Sequence, residues 1–302
     1  MIEHQKRVLD MLSEGKISVD EAERLMVAIV QAPNNQEQPS ENNETRRRPL
    51  EQVSVRVQPN TEATSAKTRD DTFTVGASPT LVVDGYNGRI AVNPGPDNTI
   101  RVQATLRNPS RVDYQVSQDG DTVKVMARRR GKASLFGFLG NSGGVNIVVT
   151  TPRKTDVDLN TGNGRIDLNG VEGSSTLHTS NGGIVMDSVK GDLDASTSNS
   201  RIVLDNVKGD FNAETSNGSI AFKGEMIQGG NNQLRTSNGG VSVKLEGTPS
   251  LTINASTSNG RVTSKLPVLT DSAGDRHRLV GTIGDGEAEL LVQSSNGSVT
   301  IE

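Results

Sequence analysis

Only three histidines occur in the 302 residues, His4, His178 and His277. Each is a possible proton carrier near neutral pH. General acid–base work also needs a second group within hydrogen-bond reach. His178 stands directly before Thr179, where the matching residues of sister segments are Ser196 and Glu214. Those are ordinary outward positions on a strand, so a surface histidine is the expectation. His277 sits between Arg276 and Arg278 and reads as part of a basic surface loop. There is no cysteine, which removes disulfides, thiolate metal sites and cysteine nucleophiles. Asp156, Asp158, Asp192 and Asp194 alternate along apparent strands. They share one face, as carboxylates do in solenoids that cleave carbohydrate. Alternating Asp is equally what a solvated strand face shows. Asp187 and Asp205 would stack and could attract a cation, but no dense ligand loop of calcium-binding type accompanies them. These residues predict no catalytic site, no metal and no cofactor.

A second chemical feature does not repeat. The stretch "ARRRGKASLFGFLGNSGG" puts Arg128, Arg129, Arg130 and Lys132 directly before Leu135, Phe136, Phe138 and Leu139. The chain has five Phe, and two are here. A basic run ahead of an apolar tip suits an anionic membrane surface or a protein groove. The alternative is a tip that folds back over an open end of the domain, where strand edges would otherwise stay unpaired.

Both features need a frame to hold them. Apolar residues make up 32% of the chain and aromatics 2%, with no Trp and 32 Gly. A core cannot rest on large rings here. Repetitive β-architectures have this profile, with small residues at corners and β-branched residues in strands. The net charge of −4 lacks the basic surface a nucleic-acid binder shows, so no nucleic-acid partner is expected.

Residues 1–30 read as a helical hairpin. Val8, Leu9, Met11 and Leu12 form one apolar face, and Gly15 sits where a helix stops. Ser18 and Glu21 match a capping box, and Ala22, Leu25, Met26 and Ile29 continue at helical spacing. So short a hairpin buries little, which predicts self-association, docking on a protein partner or packing on the rest of the chain, with a small self-contained cap as the alternative. Residues 31–70 are polar and proline-broken, the composition of a flexible linker. Residues 71–302 read as a β-domain. No signal-type apolar run opens the chain, and no stretch nears the roughly 18 apolar residues of a membrane span. The expectation is a cytoplasmic protein, with unconventional export as the route to the surface.

From about residue 145 the β-domain becomes periodic. The tetrapeptide "TSNG" and its variants fix the phase. Their asparagines are Asn163, Asn181, Asn199, Asn217, Asn238, Asn259 and Asn296, spaced 18, 18, 18, 21, 21 and 37 residues apart. Asn87, in "DGYNGRI", is a divergent early copy. Thr or Ser precedes each of the seven by two positions, and Ile or Val follows by three. The pattern is strand, corner, strand. "VKGDL" at 189–193 and "VKGDF" at 207–211 mark a second corner. An antiparallel meander with Asn-Gly turns would fit this pattern. A β-solenoid of 18–21-residue coils fits it too, and it alone sets each residue on its own equivalent about 4.8 Å away. Recurrence of Thr, Asn and Ile in fixed columns favours the solenoid. Stacked Asn amides would then form a ladder. The Asn-Gly pairs would supply left-handed corners, with Asn199 taking that conformation where Ser200 replaces Gly.

The "TSNG" units and the ending "GTIGDGEAELLVQSSNGSVTI" resemble a bacterial adhesin-type β-solenoid domain of unknown function. "VLDMLSEGKISVDEAERLM" is similar to a short helical hairpin that precedes this solenoid in envelope-stress proteins of Gram-positive-type bacteria. The resemblance implies an all-β solenoid behind a small hairpin and a linker, and it implies no catalytic residues. The expected function is a non-enzymatic scaffold or binding module in the cell-envelope stress response. The alternatives are a surface adhesin-like or carbohydrate-binding protein, touching membrane or cell wall, and a carbohydrate-active enzyme.

Overall fold

The computed structural model describes residues 66–130, 143–270 and 275–302. The hairpin read at 1–30 lies outside these, as do Lys132, Leu135, Phe136, Phe138 and Leu139. The first described strand begins at Lys67, inside the stretch read as linker. Its alternating Thr72-Phe73-Thr74 end pairs with a neighbour in full register.

The described chain is built from strands. β1 (Lys67–Thr74), β2 (Thr80–Gly85), β3 (Ile90–Pro94), β4 (Thr99–Arg107), β5 (Val112–Asp119), β6 (Thr122–Arg129) and β7 (Gly144–Thr151) form the less regular first part. Asp119-Gly120 turns the β5–β6 hairpin as expected, with Gly120 at φ 56°. Paired strands then repeat: β8 (Asp156–Thr161) with β9 (Ile166–Asn169), β10 (Ser175–Thr179) with β11 (Ile184–Asp187), and β12 (Leu193–Thr197) with β13 (Ile202–Asp205). Next come β14 (Phe211–Thr215) with β15 (Ile220–Gly224), β16 (Asn231–Thr236) with β17 (Val241–Leu245), and β18 (Leu251–Thr257) with β19 (Val262–Ser264). After β20 (Leu269–Thr270) and β21 (Arg278–Ile283), β22 (Ala288–Ser294) and β23 (Val299–Ile301) close the chain.

The first strand of each coil joins one sheet and the second joins the other. One sheet runs β1-β4-β7-β3-β9-β11-β13-β15-β17-β23-β19. The second runs β20-β21-β18-β22-β16-β14-β12-β10-β8-β2-β6-β5. From β8 to β17 neighbouring coils pair parallel with like residues opposed, such as Ile184 beside Ile202 and Thr179 beside Thr197. This is the solenoid, and the meander is excluded. Antiparallel strands finish both ends: β4 and β1 beyond β7, β5 beyond β6, and β21 beyond β18. The edge strand β1 carries Lys67, Arg69, Asp70 and Asp71, charges that discourage further strand pairing.

The core lies between the two sheets. Leu159, Leu177, Ala195, Ala213 and Leu234 form one buried column, faced by Ile166, Ile184, Ile202, Ile220 and Val241. Phe211 and Phe222 stack across one coil with ring centroids 4.7 Å apart. They fill the width where Ala213 leaves room. A chain poor in aromatics thus makes its core from repeated aliphatic layers.

The coil order departs from chain order in two places. Coil β2–β3 stacks directly on coil β8–β9, although β4 to β7 intervene in sequence. Coil β22–β23 stands between coils β16–β17 and β18–β19.

Candidate binding face

The asparagine ladder is continuous. The side-chain amide of Asn163 donates to the oxygen of Asn87 at 2.6 Å, and Asn181 donates to Asn163 at 2.6 Å. The chain of bonds continues through Asn199, Asn217, Asn238 and Asn296 to Asn259, at 2.8–3.0 Å. Thr in the same corner has its own task. Thr179 Oγ1 donates to the carbonyl of Gly164 at 3.0 Å, and Thr197, Thr215, Thr236 and Thr257 repeat the bond on their neighbouring coils. The repeated tetrapeptide is therefore structural.

The left-handed residues lie elsewhere than the sequence suggests. Among the described residues of positive φ, Asn87 is the sole ladder member; Asn199 is not one. They occur at the opposite corner, in the column Gly170, Ser188 and Asn206, at φ 61°, 57° and 52°. Glycine follows the ladder asparagines because of closeness. A Cβ on Gly182 would stand 1.8 Å from the carbonyl oxygen of Gly164, and one on Gly239 would stand 1.9 Å from that of Gly218. Ser200 occupies this position in one coil, and nothing in the structure explains the exception.

Lys190 and Lys208 stack in one column, and each is paired with a glutamate. Lys190 Nζ donates to Glu172 at 2.8 Å, and Lys208 Nζ donates to Glu225 at 3.0 Å. The Lys190 hydrogen bond holds the Glu172 carboxyl below its ordinary pKa. Lys223 bonds to Asp205 at 3.2 Å, which raises the lysine's pKa. The carboxylate of Asp167 is buried. Asp167 accepts from Arg89 Nε and Arg165 Nε, both at 2.6 Å, and its side chain is 6% exposed. Its alternation with Ile166 and Leu168 gave no warning, because Arg89 arrives from a coil distant in sequence.

Of the basic segment, the described arginines serve the strands. Arg128 pairs with Asp84 at 3.3 Å, Arg130 pairs with Asp113 at 3.7 Å, and Arg129 lies opposite Val112 in the β5–β6 hairpin. His178 Nδ1 meets Ser196 Oγ at 2.9 Å on the surface, with no carboxylate in that contact. Among the described residues, no three His, Asp or Glu come together as a metal site.

The described surface does hold one concave region of note, a hollow of 710 Å³ over the second sheet. Six outward residues cross it in register: Thr176, Asp194, Asn212, Gln233, Leu291 and Asn254. Asp192, Asp210, Asn231, Glu289 and Thr252 form a second row beside them. Asp192 and Asp194 are two of the four aspartates singled out from sequence. Asp158 is the register partner of Thr176 one coil further on. Asn212 Nδ2 donates to Asp194 at 3.0 Å, and the backbone N–H of Asn231 donates to Asp210 at 3.2 Å. No lysine or arginine lines the hollow. Amides, carboxylates and hydroxyls spaced by the coil rise can accept from and donate to a ligand's polar groups. Leu291 and Val280 add aliphatic surface.

A two-sheet solenoid with an exposed amide ladder along one corner and a concave face of mixed polar and aliphatic lining defines a class of stacked-coil protein. The family model described as Toastrack DUF4097 matches residues 80–198 and 174–302. The chain belongs to that Toastrack family. Residues 4–30 match a SHOCT-like domain. No curated protein sequence matches the chain. Among solved structures it is similar to a "putative cell adhesion protein" from Clostridium sporogenes, at 13% identity over 78% of this chain and 99% of that one, with TM-score 0.34. It is also similar to a "putative adhesin" from Bacteroides fragilis, at 10% identity over 79% and 99%, with TM-score 0.36. A third is a "putative lipid binding protein" from Parabacteroides distasonis, at 11% identity over 78% and 97%, with TM-score 0.32. None of these descriptions names a reaction.

Proposed function

We propose that this protein is a non-enzymatic binding scaffold that presents the concave face of its second sheet to a ligand. The observation that carries the reading is the composition of that face. In its central row, side-chain amides, a hydroxyl and a carboxylate occupy five of the six coils in register and Leu291 the sixth, held by backbone pairing rather than by loops. Its many neutral hydrogen-bonding groups suit a hydroxyl-rich chain, so a cell-wall or surface glycan is the ligand class we assign.

In this reading residues 1–30 supply self-association or docking on a protein partner. Their match to a SHOCT-like domain supports treating them as a module of their own. The setting we assign is the bacterial cell-envelope stress response, with the protein in the cytoplasm until exported. Capture from envelope-stressed cells tests the whole reading. Full-length protein, residues 31–302, and the full-length double variant Asp194→Lys, Gln233→Lys are compared as baits. Loss of protein partners is expected with the deletion, and loss of glycan retention with the face variant. If the folded face variant retains glycan like the parent, the face is not the binding site.

A further inference from the structure

Coil β22–β23 is last in sequence yet internal in space. Ser294 lies between Thr236 and Thr257, Val292 between Leu234 and Ala255, and Val299 between Val241 and Val262. The ladder passes through it, with Asn296 donating to Asn238 and accepting from Asn259, both at 2.8 Å.

The two coils that flank it match each other as well. They share the Thr, Asn and Val columns, and their ladder residues are 21 positions apart. That is also the spacing of Asn217 and Asn238, which stack directly at 2.8 Å. Nothing in the columns reserves the slot for an insert. If the 288–302 coil leaves, two coil-to-coil interfaces become one, because the flanking coils can close on each other. The internal coil is then no more costly to release than a coil at the end of the stack.

Its tether is suited to movement. Ile283 connects to Ala288 through Gly284-Asp285-Gly286-Glu287, with Gly284 and Gly286 at φ 60° and 75°. This crossing is held by Ser250 Oγ, which accepts from the N–H groups of Asp285 and Glu287 at 3.2 and 3.4 Å, by the N–H of Gly229, which donates to Glu287 O at 2.7 Å, and by Gln228 Nε2, which donates to Glu287 Oε1 at 2.9 Å. The side-chain bonds among these are exposed.

We propose that the slot between the Asn238 and Asn259 coils is an exchange site that accepts the 288–302 coil of a second copy of this chain. The second copy is the occupant because its coil carries every column the slot selects. Reciprocal exchange closes a symmetric dimer, the usual outcome when identical elements swap. The exchanged coil carries Glu289 and Leu291, both on the concave face. Each ligand face in the dimer is therefore made by two copies, whatever that face binds.

The chain has no cysteine, so engineered thiols report cleanly. Arg235 and Gln293 are register partners, with Arg235 Nε donating to Gln293 Oε1 at 3.0 Å. Full-length R235C and Q293C are mixed, held below the unfolding temperature, oxidised and resolved without reductant. The double variant R235C/Q293C is oxidised in parallel, and K124C mixed with Q293C gives the collisional background. The expected result is an R235C–Q293C heterodimer several-fold above that background, with the double variant also closing within one chain. If the double variant closes while the mixture stays at background, exchange does not occur. A double variant that fails to close overturns the β16–β22 register and the proposal with it. Wild-type protein checks the same point, because isotopically heavy and light chains should form mixed dimers in native mass spectra.

Discussion

Thr179 Oγ1 donates to the carbonyl of Gly164 at 3.0 Å and accepts from the N–H of Gly182 at 3.2 Å. One hydroxyl thus closes its own corner and ties that corner to the next coil. The neighbouring Thr161 occupies the same column, yet its hydroxyl is buried without a partner. The pair gives an internal control. Thr179→Val leaves a buried carbonyl and N–H without their partner and should cost about 1–3 kcal/mol. Thr161→Val removes only an unmatched hydroxyl and should be neutral or stabilising. Equilibrium denaturant melts decide the matter. Equal losses at both sites would show that the hydroxyl bond is not what the column is for.

The glycine after each ladder asparagine makes a second prediction. A Cβ at Gly182 would lie 1.8 Å from Gly164 O and 2.4 Å from its carbonyl carbon. Backbone cannot yield as a side-chain tip can, so two coils would be forced apart. Gly182→Ala should cost about 1–3 kcal/mol, the range of overpacking, since Ser200 shows that one coil carries a Cβ in this column. Gly162→Ala is the contrast, since a Cβ there meets nothing within 4 Å. It should change stability by less than about 0.5 kcal/mol. Thermal unfolding of the two variants checks both, and a mild Gly182→Ala would contradict the close approach.

These two columns show how much could be read in advance. The solenoid was legible because like residues recur at 18 and 21 positions, and only parallel stacking opposes like with like. The amide ladder followed from the same columns. The backbone at the corners was not legible. Asn-Gly suggests a left-handed turn by propensity alone, but a steric demand between coils selects glycine just as strongly. The concave face was half visible. Asp192 and Asp194 announce an outward row, whereas Leu291 reaches it only because coil β22–β23 inserts out of chain order. The Arg89–Asp167 pair stayed hidden because it joins residues 78 positions apart.

The ladder itself predicts a position effect. Asn181 both donates and accepts, whereas Asn259 ends the series and makes one ladder bond, to Asn296. Asn181→Ala should therefore cost about 1–2 kcal/mol and Asn259→Ala about half as much, taking roughly 0.5–1 kcal/mol per exposed bond. Urea melts of the two variants give the ratio. A larger loss at Asn259 would show that the end coil depends on that residue for something beyond the ladder.

Two ionisable groups at the β1 end contribute to the pH response. Asp70 accepts from Arg101 Nε at 2.8 Å and from Gln103 Nε2 at 3.1 Å, across the β1–β4 pair. The Arg101 hydrogen bonds, then that from Gln103, hold its pKa down at about 2 from an ordinary 3.8. A depressed carboxylate stabilises the fold above its unfolded pKa, and that contribution is lost as pH falls through about 2. Tyr114 is the opposite case. Burial first, and the nearby Asp71 second, push its phenol up to about 12. The folded state keeps the proton while the unfolded chain releases it near 10, so stability falls as pH rises from about 10 to about 12. Ultraviolet titration should show phenolate forming at Tyr114 only near pH 12, and Asp70→Asn should flatten the acid limb of the melting curve. A Tyr114 that ionises near 10 in the folded protein would mean that the β5 edge strand opens to water.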